Sequence, residues 1–255
     1  MHLFHRDLGG AGRPPLVILH GILGSSRNWQ TAGRDLAERY HVFALDLRNH
    51  GASPHAEEMS FGIMAQDLRD WLDGHGLSRV TLLGHSLGGK VAMLFACRHP
   101  ERVERLVIVD IAPKAYHWAG RRGEFAAMLG LDLGPLRSRG EAEKLLEAQV
   151  PDWAMRKFFV TNLERTPEGR WQWQIDLPAI AAALAELEKN PLGPGDRFAG
   201  PVRVITGERS PYVQPADRPA ILGHFPAAKF TVIADSGHNP HMDAREKFML
   251  AIFED

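Results

Sequence analysis

Short, almost wholly apolar runs recur along the chain and alternate with longer segments whose apolar residues return every three or four positions. Leu16–Leu19, Val42–Leu45, Val80–Leu83, Leu106–Val109, Val202–Thr206 and Phe230–Ile233 are four or five residues each. Runs so short and so apolar predict strands covered on both faces, as in a parallel sheet. Leu3–His5 predicts a weaker edge strand. Between these runs, Ile63, Met64, Leu68, Trp71 and Leu72 lie at helical spacing behind Ser60, which is suited to cap the helix start. A second helix is expected from Leu87 to His99, stopping at Pro100. A last one begins near Asp243 and carries Phe248, Met249 and Ile252. Strands alternating with helices predict an α/β fold, a mostly parallel central sheet with helices on both faces.

The alternation breaks once. Between about Pro113 and Pro194 no run of the core type occurs, and helices are predicted around Phe125–Leu129, Glu141–Gln149, Asp152–Leu163 and Ala179–Glu188. A Pro/Gly-rich stretch, Pro191–Asp196, then returns the chain to the sheet. We therefore expect a core domain of residues 1–112 and 197–255, with a helical cap, 113–196, inserted after the strand that ends at Asp110. A chain of 255 residues suits one domain with such an insertion.

Composition narrows the partners. Thirty Lys and Arg against 31 Asp and Glu leave a net charge of −1. That balance offers no electrostatic footprint for nucleic acid or for an anionic membrane surface, so neither is expected as a partner. The single cysteine, Cys97, excludes an intramolecular disulfide and reads as a small buried side chain of the Leu87–His99 helix. The first ten residues carry charges and no apolar core, unlike a signal peptide. No stretch approaches the roughly 18 apolar residues of a membrane span, so a cytoplasmic protein without membrane insertion is expected.

The chemistry begins where Val80–Leu83 runs into Gly84-His85-Ser86-Leu87-Gly88 and a helix follows at once. Chance alone produces a Gly-x-Ser-x-Gly pentapeptide in roughly one chain in ten, so the context matters more than the match. A serine between strand and helix, flanked by glycines that permit a tight turn, is held in strain with its hydroxyl exposed. Ser86 would also stand at a helix N-terminus, where developing negative charge is favoured. It is the expected nucleophile.

A serine hydroxyl needs a base, and thirteen histidines are available. His238, just beyond the last predicted strand in Ala234-Asp-Ser-Gly-His-Asn-Pro-His241, sits where parallel sheets place their sites. His241 is the alternative, though it is expected to face solvent or to cap the final helix. For the acid, Asp110 ends an apolar strand, a poor place for a carboxylate without a task. Glu208 and Asp235 remain as alternatives. The oxyanion donors are expected to be the backbone N–H groups of Leu87, after the nucleophile, and Ile22, beside Gly21. His20, Arg48 and His50 read as groups that tie down their own loops. His238 and His241 lack the His-Glu-x-x-His pattern or carboxylates of a metal centre, so no metal is expected.

Several segments together are familiar: His20-Gly-Ile-Leu-Gly-Ser25, Asp46-Leu-Arg-Asn-His-Gly51, Gly84-His-Ser-Leu-Gly-Gly-Lys90, Val109-Asp-Ile-Ala-Pro113, Ser210-Pro-Tyr-Val213 and Gly237-His238. Through them the chain resembles α/β-hydrolase-fold proteins, in particular the YbfF-like bacterial esterases and their mitochondrial relatives. The resemblance implies cofactor-free hydrolysis of a small-molecule acyl ester or thioester, with the acid at Asp110. Many members of the wider superfamily carry the acid in a Gly-x-x-Asp turn after the next strand; here that turn is Gly207-Glu-Arg-Ser210, with serine in its place. Leu87 stands where methionine is common, a mild departure because the residue contributes its backbone N–H. The expected function is a serine esterase for small to medium acyl groups, working through a Ser-His-Asp triad. Carbon–carbon bond hydrolase, perhydrolase, aminopeptidase, acyltransferase and non-catalytic receptor remain as alternatives on the same scaffold. Trp118, Trp153, Trp171 and Trp173, with Phe125, Met128, Leu129, Phe158 and Phe159, are expected mainly to hold the cap together, some of them reaching an apolar pocket.

Overall fold

The computed structural model describes residues 1–117 and 119–254, and of 119–121 the backbone only. Its main sheet is built from β1 (His5–Asp7), β2 (Pro15–Leu19), β3 (His41–Leu45), β4 (Val80–His85) and β5 (Val103–Val109). After β6 (Leu163–Arg165) and β7 (Trp171–Trp173), which pair only with each other, it is completed by β8 (Val202–Gly207) and β9 (Ala228–Ile233). The strand order is β1-β3-β2-β4-β5-β8-β9. β1 runs antiparallel to β3, and every other pairing in this sheet is parallel. The helices are α1 (Gln30–Leu36), α2 (Phe61–Gly74), α3 (Leu87–Arg98), α4 (Ala119–Leu129), α5 (Arg139–Leu145) and α6 (Trp153–Val160). They continue with α7 (Leu177–Leu187), α8 (Arg218–His224), α9 (Pro240–Asp243) and α10 (Arg245–Phe253).

All six apolar runs became strands of the sheet. Ser60 caps α2, its hydroxyl accepting the Ile63 N–H. The edge strand lies two residues later than expected, because Leu3 turns into the core and leaves pairing to His5–Asp7. Several elements had no legible pattern. Helices α1 and α8 are seven residues each and bury few apolar side chains, too few to show a period. The β6–β7 hairpin has strands of three residues, too short for an alternation to register.

Apolar packing divides by face of the sheet. One face carries α1 and α10, where Trp29, Leu36, Phe248 and Ile252 meet Leu16, Ile18 and Val107. On the other, α2 and α3 share a continuous cluster with Phe125, Phe159, Leu177 and Ile180 from the segment between β5 and β8. That segment therefore docks through the main core, and only a small cluster around Leu136, Leu146 and Leu163 is its own.

Polar ties reinforce the docking. Lys90 on α3 is fully buried, and its ammonium donates to the carbonyls of Leu187, Glu188 and Lys189 at the end of α7. Those carbonyls are orphaned by the helix terminus and carry the negative end of its dipole, so a cation from the core completes the helix. Burial pushes the lysine down to about 7, while Glu188 pulls it upward. Asn162 donates to Leu23 O at 2.9 Å, and the Asp176 N–H donates to Asn49 O at 2.9 Å.

The turn between β4 and α3 is backbone packed on backbone. A Cβ at Gly84 would meet the Gly88 carbonyl, and one at Gly88 would meet the carbonyls of Leu19 and His20. The Gly88 N–H donates to His20 O at 3.1 Å, which locks the turn to the end of β2. Gly88→Ala should accordingly lower stability by about 1–3 kcal/mol, since neither carbonyl can retreat without breaking strand pairing. Urea denaturation of the variant against the parent chain checks this.

Candidate active site

Ser86 occupies the tip of that turn with φ +51° and ψ −116°, a left-handed conformation that costs energy for any residue with a Cβ. Its backbone N–H is held by Val109 O at 3.1 Å. Leu87 opens α3, so its N–H is one of the helix's unsatisfied donors. Asp110 follows β5 in a similarly strained state, φ +51°, fixed by its own N–H to Ile205 O at 2.8 Å. β5 and β8 are neighbours, so the tips of both strands reach the same place.

Asp110 is wholly buried and gathers three donors. His238 Nδ1–H reaches Oδ2 at 2.7 Å, Ser210 Oγ–H donates to the same oxygen, and the Gly207 N–H reaches Oδ1 at 3.2 Å. A buried carboxylate is tolerable only with such partners. Because Nδ1 gives its proton to Asp110, the neutral ring leaves Nε2 with a lone pair. The ring is packed by aromatics as well: Tyr212 stacks on it at 3.9 Å and 17°, and the tilted His85 ring lies 4.8 Å away. His85 Nε2 donates to the His238 carbonyl at 2.8 Å. Asp243 takes the Gly237 N–H at 2.8 Å and so steadies the loop that carries the imidazole.

The loop after β2 is fixed from several sides. The N–H groups of Leu23, Gly24 and Ser25 are committed to His50 Nε2, Gly21 O and Asn28 Oδ1. The Ile22 N–H has no acceptor among the described residues. His20 bridges the Gly21 carbonyl and the Leu47 N–H, and Arg48 forms a paired contact with Asp67 at 2.6 and 3.0 Å. These three polar residues, His20, Arg48 and His50, hold loops, as their sequence context suggested.

Ser86, His238 and Ile22 line one cavity of about 250 Å³. Ala154, Met155 and Phe158 of α6 line it too, together with Trp29, His241 and Met242. Of the aromatic and apolar residues expected to surround a pocket, only Phe158 does so among those described. Phe125, Met128 and Phe159 are core, Trp153 and Leu129 are exposed, and Trp171 and Trp173 belong to the hairpin. Trp118 lies outside the described residues.

Other expectations fail for physical reasons. His241 does not face solvent: it is 3% exposed and stacked on Trp29 at 4.0 Å and 7°, because α9 turns inward from Pro240 and seats the ring in the core. Glu208 and Asp235 stay at the surface. Glu208 accepts the Asp235 N–H, and the Asp235 carboxylate lies 3.5 Å from Lys247. Ser210 and Tyr212 were the partners that sequence reasoning missed. Serine in the expected acid position was the only signal, and it registered as a departure. Among the described residues no three His, Cys, Asp or Glu side chains converge as a metal site requires.

The family model described as the alpha/beta hydrolase fold matches residues 14–245. The chain belongs to the α/β-hydrolase fold family. A mouse relative, sn-1-specific diacylglycerol lipase ABHD11, is 36% identical, covering 96% of this chain and 81% of its own. Esterase YbfF of Escherichia coli is 32% identical, covering 93% and 91%. A solved structure, a marine microorganism esterase, superposes with a TM-score of 0.95 at 33% identity over 99% of this chain and 98% of that one. Kinship with esterases over nearly the whole length puts this member of the family among the carboxylic ester hydrolases. No described helix is long and apolar enough to cross a membrane.

The site's histidines also set its acid tolerance. Burial pushes His20 down to about 4, and His50 and His241 to about 3, from an ordinary 6.5. Once the chain unfolds, each ring takes a proton near its ordinary value, so unfolding consumes protons below pH 6.5. The contribution of these rings to stability is therefore full above that value and is lost as pH falls toward 4 for His20 and toward 3 for His50 and His241. Urea midpoints measured across this range should drop steeply, and His50→Gln should make the slope shallower.

Proposed function

We propose that the chain is a serine esterase in which Ser86 attacks the acyl carbon, His238 shuttles the proton and Asp110 orients the imidazole. The observation that carries this reading is the Asp110–His238 bond of 2.7 Å, made by a fully buried carboxylate to the histidine that shares a cavity with Ser86. With Nδ1 protonated, Nε2 is the basic nitrogen, and it takes the hydroxyl proton as the C–O bond to substrate forms. The tetrahedral oxyanion is received by the N–H groups of Ile22 and Leu87. His238 returns its proton to the departing alcohol, and water repeats the sequence on the acyl-enzyme to release the acid.

Ser210 acts through Asp110, not on the substrate. Its hydroxyl shares the oxygen that holds His238, so it fixes the carboxylate's orientation from the position where a turn aspartate would otherwise stand. Residues 113–196 serve as a cap, with α6 as the roof over the acyl carbon, and the core domain consists of 1–112 and 197–255. The cavity's size and its Ile22, Met155, Phe158 and Met242 walls favour small to medium, uncharged acyl esters. Relatives named for diacylglycerol and ester hydrolysis support oxygen esters as the first class to assay.

The test is direct. A fluorophosphonate probe should label Ser86 in the parent chain and leave Ser86→Ala unlabelled. Turnover of a p-nitrophenyl butyrate assay should fall on the order of 10⁴-fold or more in Ser86→Ala and comparably in Asp110→Asn. Activity retained by Ser86→Ala would overturn the reading. Ser210→Ala removes one hydrogen bond to a charged group, so kcat should fall about tenfold to a hundredfold while the probe still labels Ser86.

A further inference from the structure

Asp110 holds the His238 ring by one edge, and Tyr212 covers one of its faces. The two rings lie with centroids 3.9 Å apart and planes 17° from parallel. Tyr212 is fastened in this place through its backbone. Its N–H donates to Ser210 Oγ at 3.3 Å, and its carbonyl accepts the Tyr116 hydroxyl at 2.8 Å. The Tyr116 oxygen takes the Ala112 N–H at 2.9 Å in return, which ties the same turn to the chain just beyond Asp110. Lys114 adds an ion pair with Asp217 at 2.7 Å, and that carboxylate also accepts the Gln214 N–H. The segments that carry Asp110 and Tyr212 are thereby joined, and they present acid and aromatic face to His238 as one unit.

The imidazole changes charge during the proposed reaction. It begins neutral, takes the Ser86 proton as the bond to the acyl carbon forms, and gives that proton to the departing alcohol. Asp110 serves the cation at the ring's edge. An aromatic face serves it from the side, because the negative face of a π-system attracts a cation more strongly than a neutral ring. The other groups around the ring leave this attraction unopposed. Burial holds His85 and His241 uncharged, so neither repels the imidazolium. The Asp243 carboxylate is committed to the Gly237 N–H.

We propose that Tyr212 is a positioning residue of this site: its ring face, set in place through Tyr116, fixes the plane of His238 and favours the imidazolium that forms as Ser86 gives up its proton. This role rests on the esterase reading at Ser86 and adds a residue that acts only through His238. It belongs to the aromatic face and not to the tyrosine hydroxyl.

Replacements at this one position test it, with p-nitrophenyl butyrate turnover followed across pH. Tyr212→Leu removes the face and keeps apolar bulk, so kcat/KM should fall about threefold to thirtyfold. With the cation less favoured, the ring stays neutral, and so active, to lower pH. The acidic limb of the kcat/KM profile should therefore move down by about half a unit or more. Tyr212→Phe restores the face and should recover both the rate and the limb. Ring-fluorinated phenylalanines in place of Tyr212 keep the shape while draining the face of negative charge, so they read the charge effect even where leucine disturbs folding. Successive fluorines should lower kcat/KM stepwise and carry the limb further down. A limb that stays at the parent's pH through the fluorinated series, in a chain that turns over the ester, would overturn the role of Tyr212 and leave the esterase reading standing. Tyr212→Phe as slow as Tyr212→Leu would overturn it too. A parent chain that fails to label with fluorophosphonate at Ser86 would instead remove the esterase reading, and this role with it.

Discussion

A carboxylate withdrawn entirely from water, at the tip of β5, draws three strand ends into one site. Left unpaired, Asp110 would cost more than the turn around it can supply, so the surrounding chain is arranged to meet it. Gly207 reaches it from β8, Ser210 from the turn that follows, and His238 from the loop after β9. Backbone contacts enforce the same convergence: a Cβ at Gly207 would strike the carbonyls of Gly237 and Ser236, so the two loops lie directly against each other. The imidazole that this assembly holds is thereby fixed in tautomer and in plane, with Tyr212 stacked behind it.

Placing His238 in this way serves the proposed chemistry only if the turn at Ser86 shares its cavity, and glycines shape that turn. With Gly84 and Gly88 packed on neighbouring backbone, the chain reverses within five residues and leaves Ser86 in a strained state at the start of α3. The helix that follows is tied in its turn to the segment above it. Lys90 reaches from its first turn into the carbonyl end of α7, so the helix carrying the proposed nucleophile and the proposed cap share one buried cation. Asn162 makes a second link, from the same segment to the loop of Ile22. The relative placement of Ser86, the loop of Ile22 and residues 113–196 is thus set by contacts that cross between that segment and the rest of the chain.

Three histidines near the site serve as uncharged shapes. His20 and His50 bridge loop backbone through both ring nitrogens, and His241 stacks on an indole. Burial keeps each of these three neutral. His238 differs by its partner: it alone among these four donates to a carboxylate. That contrast sets His238, the proposed base, apart from rings that bridge loop backbone or stack in the core.

Much of this was legible in the chain itself. Apolar runs of four or five residues, Ser60 ahead of an apolar helical stripe and Gly-x-Ser-x-Gly between strand and helix are local signals, written in consecutive residues. They determined the strands of the sheet, the helices α2 and α3 and the position of Ser86. The tertiary structure decided what depends on meetings between distant segments. Asp110, and not Glu208 or Asp235, bonds His238, because strand order brings residues 128 positions apart to one point. Ser210 becomes a donor to that carboxylate across 100 positions, which its place in a turn did not announce. His241 turns inward and the tryptophans of the hairpin stay away from the cavity, since burial is settled by what packs opposite, and sequence spacing records only the near side of each contact.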